Sequence, residues 1–158
     1  MQVCRKWGCY SMGRKQLYII IALSICSAIL LYKFVEILDQ RRDLEHSIDA
    51  AYKQQLNHAL ASFSMQVNEY TYRSMISSVY SVAKMAELTS YEKVNDDLDI
   101  SLHNLYISLR EDKSKEKVLA RTEELHEIFF MMLQDPTSKE ATNRFIRIAD
   151  ETFFKVPD

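Results

Sequence analysis

Twenty-two carboxylates, four histidines and three cysteines are the side chains of this 158-residue chain that could hold a metal or attack a substrate. Their spacing does not bring them together. His46, His58, His103 and His126 are scattered, and no two stand at the four-residue step that puts a pair of imidazoles on one helix face. The strongest local grouping is EELHE, where Glu123 and Glu127 lie one helical turn apart; such a pair ordinarily marks a solvated face. The run NDDLD, Asn95 to Asp99, offers three carboxylates. It lacks the glycine turn and distal glutamate of a calcium loop, and reads as an acidic first turn favoured by the helix dipole.

Glycine occurs only at positions 8 and 13, so the rest of the chain can form neither a Gly-x-Ser-x-Gly nucleophile elbow nor a glycine-rich phosphate loop. Cys4, Cys9 and Cys26 all precede residue 27, which leaves the remainder without a thiol nucleophile, disulfide or cysteine metal site. No enzymatic activity, cofactor or metal is expected on these grounds. Nucleic acid is not an expected partner either. Residues 1–32 hold Arg5, Lys6, Arg14 and Lys15 with no acid, whereas residues 33–158 hold 16 bases against 22 acids, the wrong sign for a phosphate backbone.

The stretch that points toward function is apolar. IFFMML, Ile128 to Leu133, places six consecutive apolar residues around the whole circumference of a helix, where a surface helix needs one stripe. Phe129, Phe130, Met131 and Met132 are therefore the candidate partner interface, with burial in the core as the competing use of the same residues. Tyr70, Tyr72 and Tyr80 carry the same ambiguity.

Residues 14–135 contain no glycine and no proline. Hairpins and tight turns draw on those residues for unusual backbone angles, so the expected fold class is all-α. Apolar residues at Phe34, Leu38, Leu44, Ile48, Tyr52, Leu56, Ala59, Phe63, Val67 and Tyr70 recur in steps of three and four, predicting one amphipathic helix over residues 34–67. A second helix is predicted to about Leu88, with a bend near Asn68 to Thr71. Thr89 and Glu92 match a capping box that would open a third helix running to Arg110, with Leu98, Leu102, Leu105 and Leu109 as its seam. Ser114 is expected to cap a fourth helix ending at Leu133, before the stop at Pro136. Thr137 and Glu140 match another box ahead of a last helix that buries Phe145, Ile148 and Phe153. Together these segments predict an antiparallel bundle of about four to five helices.

Residues 17–35, LYIIIALSICSAILLYKFV, follow a basic stretch. The 17 uncharged residues from Gln16 to Tyr32 span about 26 Å as a helix, and Lys15 and Lys33 can snorkel to the two interfaces of a bilayer about 30 Å thick. Leu17, Tyr18, Ile19, Ile20, Ile21, Leu23, Ile25, Ile29, Leu30, Leu31 and Tyr32 would face lipid or helix. Cleavage as a signal peptide would leave Ile29 to Tyr32 at a new N-terminus, and bulky Ile25 before Cys26 disfavours a lipoprotein site. A retained single-pass signal-anchor is the expectation. Four bases precede the segment, and the three that follow closely are interleaved with Glu36, Asp39, Asp43, Glu45 and Asp49. That bias predicts a short basic cytoplasmic N-terminus, residues 1–16, and an extracytoplasmic helical domain, residues 36–158. The expected role is a non-enzymatic membrane-anchored scaffold or accessory protein, bound to the bilayer and to a protein partner or to itself through helices. A sensory module holding a small-molecule ligand between helices, and a cytosol-facing scaffold of inverted topology, are the alternatives.

Overall fold

The computed structural model describes the backbone of residues 14–155 and the side chains of residues 17–155. It is helical throughout: α1 (Arg14–Phe63), α2 (Glu69–Ala86), α3 (Leu98–Arg110), α4 (Asp112–Leu119), α5 (Thr122–Gln134), α6 (Lys139–Ala149) and a closing π-helical turn, Asp150–Phe154. No strand occurs among the described residues. The all-α bundle read from the scarcity of glycine and proline is the fold observed.

Tertiary contacts divide the chain into two units, one ending at Arg42 and one beginning at Asp43, with α1 contributing to both. In the first unit every large apolar side chain from Leu17 to Leu38 is exposed. This is the one helix among the described residues that is long and apolar enough to cross a membrane. Lys33 bridges to Glu36 at 2.7 Å, one turn further on.

The second unit is built on stripes that the helical period dictates. Tyr52, Leu56, Ala59 and Phe63 of α1, Met75, Val79, Val82 and Ala86 of α2, and Leu98, Leu102, Leu105 and Leu109 of α3 are buried in one core with Val118, Leu125, Phe145 and Ile148. Leu44, Val67 and Tyr70, which the spacing grouped with the first of these stripes, are exposed instead. α1 and α2 run antiparallel: Ser62 meets Ser78 at 3.1 Å, and at the other end Asp49 takes both the N–H and the hydroxyl of Ser90.

Several helix ends differ from the sequence expectation, each for a polar reason. α1 stops at Phe63 rather than near residue 67, because Asn68 caps α2 by accepting the N–H groups of Tyr70 and Thr71, while Thr71 reciprocates on the Asn68 N–H. The anticipated bend is thus a reversal of the chain. Thr89 does not open α3: its hydroxyl donates to the Ala86 carbonyl and closes α2, while its oxygen accepts the Glu92 N–H at 3.4 Å, half of the expected box, at the head of a turn and not of a helix. Glu92 reaches forward instead and accepts the Asp99 N–H, so α3 begins at Leu98. Ser114 is no cap, since it is buried inside α4 and donates to the Ser108 carbonyl at 2.7 Å. The predicted fourth helix is two helices, α4 and α5, separated at Ala120 and Arg121. α6 is capped by Ser138, which accepts from the Ala141 N–H, while Thr137 is held by the Asp135 carboxylate. Phe153 is only half-buried, with the Lys113 ammonium 4.3 Å over its ring.

Phe129 packs between Phe63, 5.2 Å away, and Phe145, 4.8 Å away, so Phe129→Ala is expected to cost about 3–5 kcal/mol in denaturant unfolding. Phe130→Ala, on the exposed side of the same turn, should stay within about 0.5 kcal/mol. The Tyr52 hydroxyl is buried with no hydrogen-bond partner among the described residues. Tyr52→Phe should therefore raise stability by about 1 kcal/mol, read as a Tm increase of about 2–6 °C.

Candidate functional site

The six apolar residues of IFFMML are divided by the helix they form. At about 100° of rotation per residue, a helix lying on a core turns only part of such a run inward. Ile128, Phe129 and Met132 are fully buried, Met131 and Leu133 are half-buried against the core, and Phe130 remains 52% exposed. Phe129 and Met132 are thus core residues and drop out of the surface that the sequence suggested. What is left is Phe130 with the rim of Met131.

Ion pairs occupy the neighbouring helix face. Glu127, one turn before Phe130, accepts from the Arg144 guanidinium at 2.9 Å, which holds its carboxyl below the usual glutamate range. Glu124 accepts from Arg147 at 2.9 Å, and Arg121 pairs with Glu151 of the closing turn at 2.5 Å. These contacts tie α5 to α6 across their antiparallel faces. They also explain EELHE: Glu127 and Glu124 serve arginines of α6, and among the described residues no three His, Cys, Asp or Glu side chains converge as metal ligands. Phe130 is thus an exposed aromatic side chain one turn from the Glu127–Arg144 ion pair, and an apolar centre beside a polar rim suits an interface anchor.

A second cluster lies where the α2 to α3 connection packs on α1. NDDLD is not one acidic turn here. Asn95 is buried, and its amide donates to the Thr142 hydroxyl at 2.7 Å, joining the start of α3 to the start of α6. Asp96 and Asp99 lie near Glu92, whose pKa is pushed up to about 7 by burial and by the Asp99 charge, against the opposing Asp99 N–H bond. The buried Tyr52 phenol has its pKa driven upward by burial and by the nearby Glu92 charge. Lys93 reaches Glu45 at 2.8 Å beside it. A carboxyl titrating near neutrality is what a general base needs. Two solvent-open grooves of this unit lie away from it, one on α6 lined by Glu140, Asn143, Arg144 and Arg147, another lined by Gln55 of α1 and by Tyr70, Arg73 and serines of α2. Glu92 itself is a titrating group at a helix junction. The sequence named it only as a capping partner of Thr89, because its neighbour Tyr52 stands forty positions away.

The remaining candidates stay apart. His46, His58 and His103 are exposed and His126 is half-buried; His103 lies 6.0 Å from the Tyr106 ring. Tyr72 is buried, its hydroxyl donating to the Leu109 carbonyl, whereas Tyr70 is exposed and Tyr80 lies against Tyr106 at 5.1 Å. Leu17, Tyr18, Ile19, Ile20, Ile21, Leu23, Ile25, Ile29, Leu30, Leu31 and Tyr32 all present their side chains outward in the first unit. Comparison with known protein families, with curated proteins and with solved structures gives no match to this chain.

Because the folded-state pKa of Glu92 lies above its ordinary value of 4.5, the folded protein holds this proton where the unfolded chain has lost it. Its contribution is fully present below about pH 4.5 and is lost as pH rises through about 7. Melting of the detergent-solubilised chain across pH 5–8 should show this loss. Glu92→Gln should flatten that part of the profile and raise Tm at pH 8, where the wild-type carboxylate faces the Asp99 and Asp96 charges.

Proposed function

We propose that this chain is a non-enzymatic single-pass membrane protein whose helical domain, residues 36–158, lies outside the cytoplasm and docks another protein of the membrane or cell envelope. The observation that carries this reading is Phe130, an aromatic side chain 52% exposed one turn from the salt-linked Glu127, on a domain whose first helix, α1, includes a stretch long and apolar enough to cross a membrane. An exposed phenylalanine has no use for stability in this position, since Phe129 and Phe145 already fill the core beneath. Buried against a partner, it would contribute roughly 1.5–3 kcal/mol from area alone. The excess of Arg and Lys before the apolar segment supports the orientation.

The test uses the full-length chain with a C-terminal tag. After cross-linking in cells, a specific protein is expected to co-purify, and Phe130→Glu should lower its recovery by about tenfold or more with the Tm unchanged. Undiminished recovery with Phe130→Glu would place the docking surface elsewhere. Protease confined to the outer side of the membrane that holds α1 should digest the domain; protection would instead favour the cytosol-facing scaffold.

A further inference from the structure

Leu23, Leu30 and Ile37 stand seven residues apart on the part of α1 in the first unit, and the sequence repeats the step at Leu44. Their exposures are 65%, 71%, 60% and 61%, so nothing among the described residues covers them. Ile20, Ser27, Phe34 and Arg41 form a second seven-residue series, offset by three and four, which with the first makes the a and d positions of a heptad. A strict seven-residue repeat drifts relative to a straight helix and is satisfied by a left-handed supercoil with a partner helix.

Most of the other heptad positions agree with this assignment. Beyond Lys33 the residues Glu36, Asp39 and Arg42 fall on the side away from the seam, while Phe34 and Ile37 lie on it and Leu38 flanks it; Val35 is the apolar exception on the outer side. Lipid can cover Leu23 and Leu30, but it cannot cover apolar side chains that extend past the interface into water. Within the span both serines, Ser24 and Ser27, lie toward the seam, and bulky Ile21, Ile25 and Ile29 lie away from it. Small hydroxyl residues on one side are what closely approaching helices use inside a bilayer, where burial of apolar area supplies no drive.

We infer that α1 pairs with α1 of a second copy of this chain, parallel and in register, along the seam through Leu23, Leu30, Ile37 and Leu44. Two copies inserted in one bilayer with the same topology can meet only in parallel, and an identical chain supplies an identical heptad at every level. Arg41 is the one polar residue at an a position outside the span, a device that sets register and a two-stranded state at some cost in stability. With about 200 Å² for each fully exposed large apolar residue, Phe34, Ile37, Leu38 and Leu44, beyond Lys33, would remove roughly 900 Å² from water across two copies, a small interface by itself. Confinement to one membrane raises the effective concentration further. The pairing uses α1 alone and leaves Phe130 free, so it stands or falls separately from partner docking.

The experiment is cysteine scanning of the full-length chain in its membrane. Cys4, Cys9 and Cys26 are replaced by serine, single cysteines are placed along residues 36–46, and a membrane-permeant oxidant is added. Disulfide-linked homodimers should peak at Ile37→Cys and Leu44→Cys and be several-fold weaker at Asp39→Cys and His46→Cys. Ile37→Asp combined with Leu44→Cys should abolish the cross-link without shifting the Tm. Cross-linking that is uniform along the scan, that peaks at Asp39→Cys, that survives Ile37→Asp, or that joins only a different protein overturns the proposal.

Discussion

Phe129, held between Phe63 and Phe145, is the contact on which the second unit depends. It is the place where the last turn of α1, the middle of α5 and the centre of α6 meet, and each ring removes the others from water. Three aromatic side chains at centroid separations of 4.8–5.2 Å combine large apolar burial with favourable ring geometry. The leucine stripe of α3 and the apolar faces of α2 and α4 complete the same core.

Polar contacts do a different task, which is to decide where helices end. Asn68 and Thr71 satisfy each other's N–H groups and force the chain to reverse after α1. Asp49 receives Ser90, Asn95 reaches Thr142, and Ser114 donates to the Ser108 carbonyl. Each of these bonds joins groups well separated along the chain or closes a helix end, and each satisfies a polar atom that packing has withdrawn from solvent. Ion pairs between α5 and α6 are more exposed, and their value lies in fixing the orientation of two helices more than in stability.

Apolar surface in this protein falls into two kinds. The first covers α1 on all sides from Leu17 to Tyr32 and thins beyond Lys33, where Glu36, Asp39 and Gln40 interrupt it. The second consists of separate residues on the bundle, among them Phe130, one turn from the Glu127–Arg144 ion pair. Apolarity around a whole circumference suits a helix whose solvent is lipid, and apolarity at one point beside polar groups suits a docking anchor.

Much of this was legible in the residues themselves. A tract of 122 residues without glycine or proline leaves little but helix, the Leu98, Leu102, Leu105, Leu109 seam is buried as its spacing requires, and Pro136 ends α5 where a proline must. The apolar segment announces a membrane-length helix by composition alone. Local periodicity could not show that Thr89 closes α2 instead of opening α3, that Ser114 faces inward, that the predicted fourth helix breaks at Ala120 and Arg121, or that Phe129 and Phe130 have opposite fates. Nor could it show that Glu92 titrates near neutrality, because burial, the largest cause of that shift, is set by packing rather than by the nearby Asp96 and Asp99 alone. Helical propensity and stripe spacing are set by residues three and four apart, so the sequence determined them. Burial, local dielectric and contacts such as Asp49 with Ser90 and Asn95 with Thr142 depend on which elements meet across forty or more positions, and only the tertiary structure decided those.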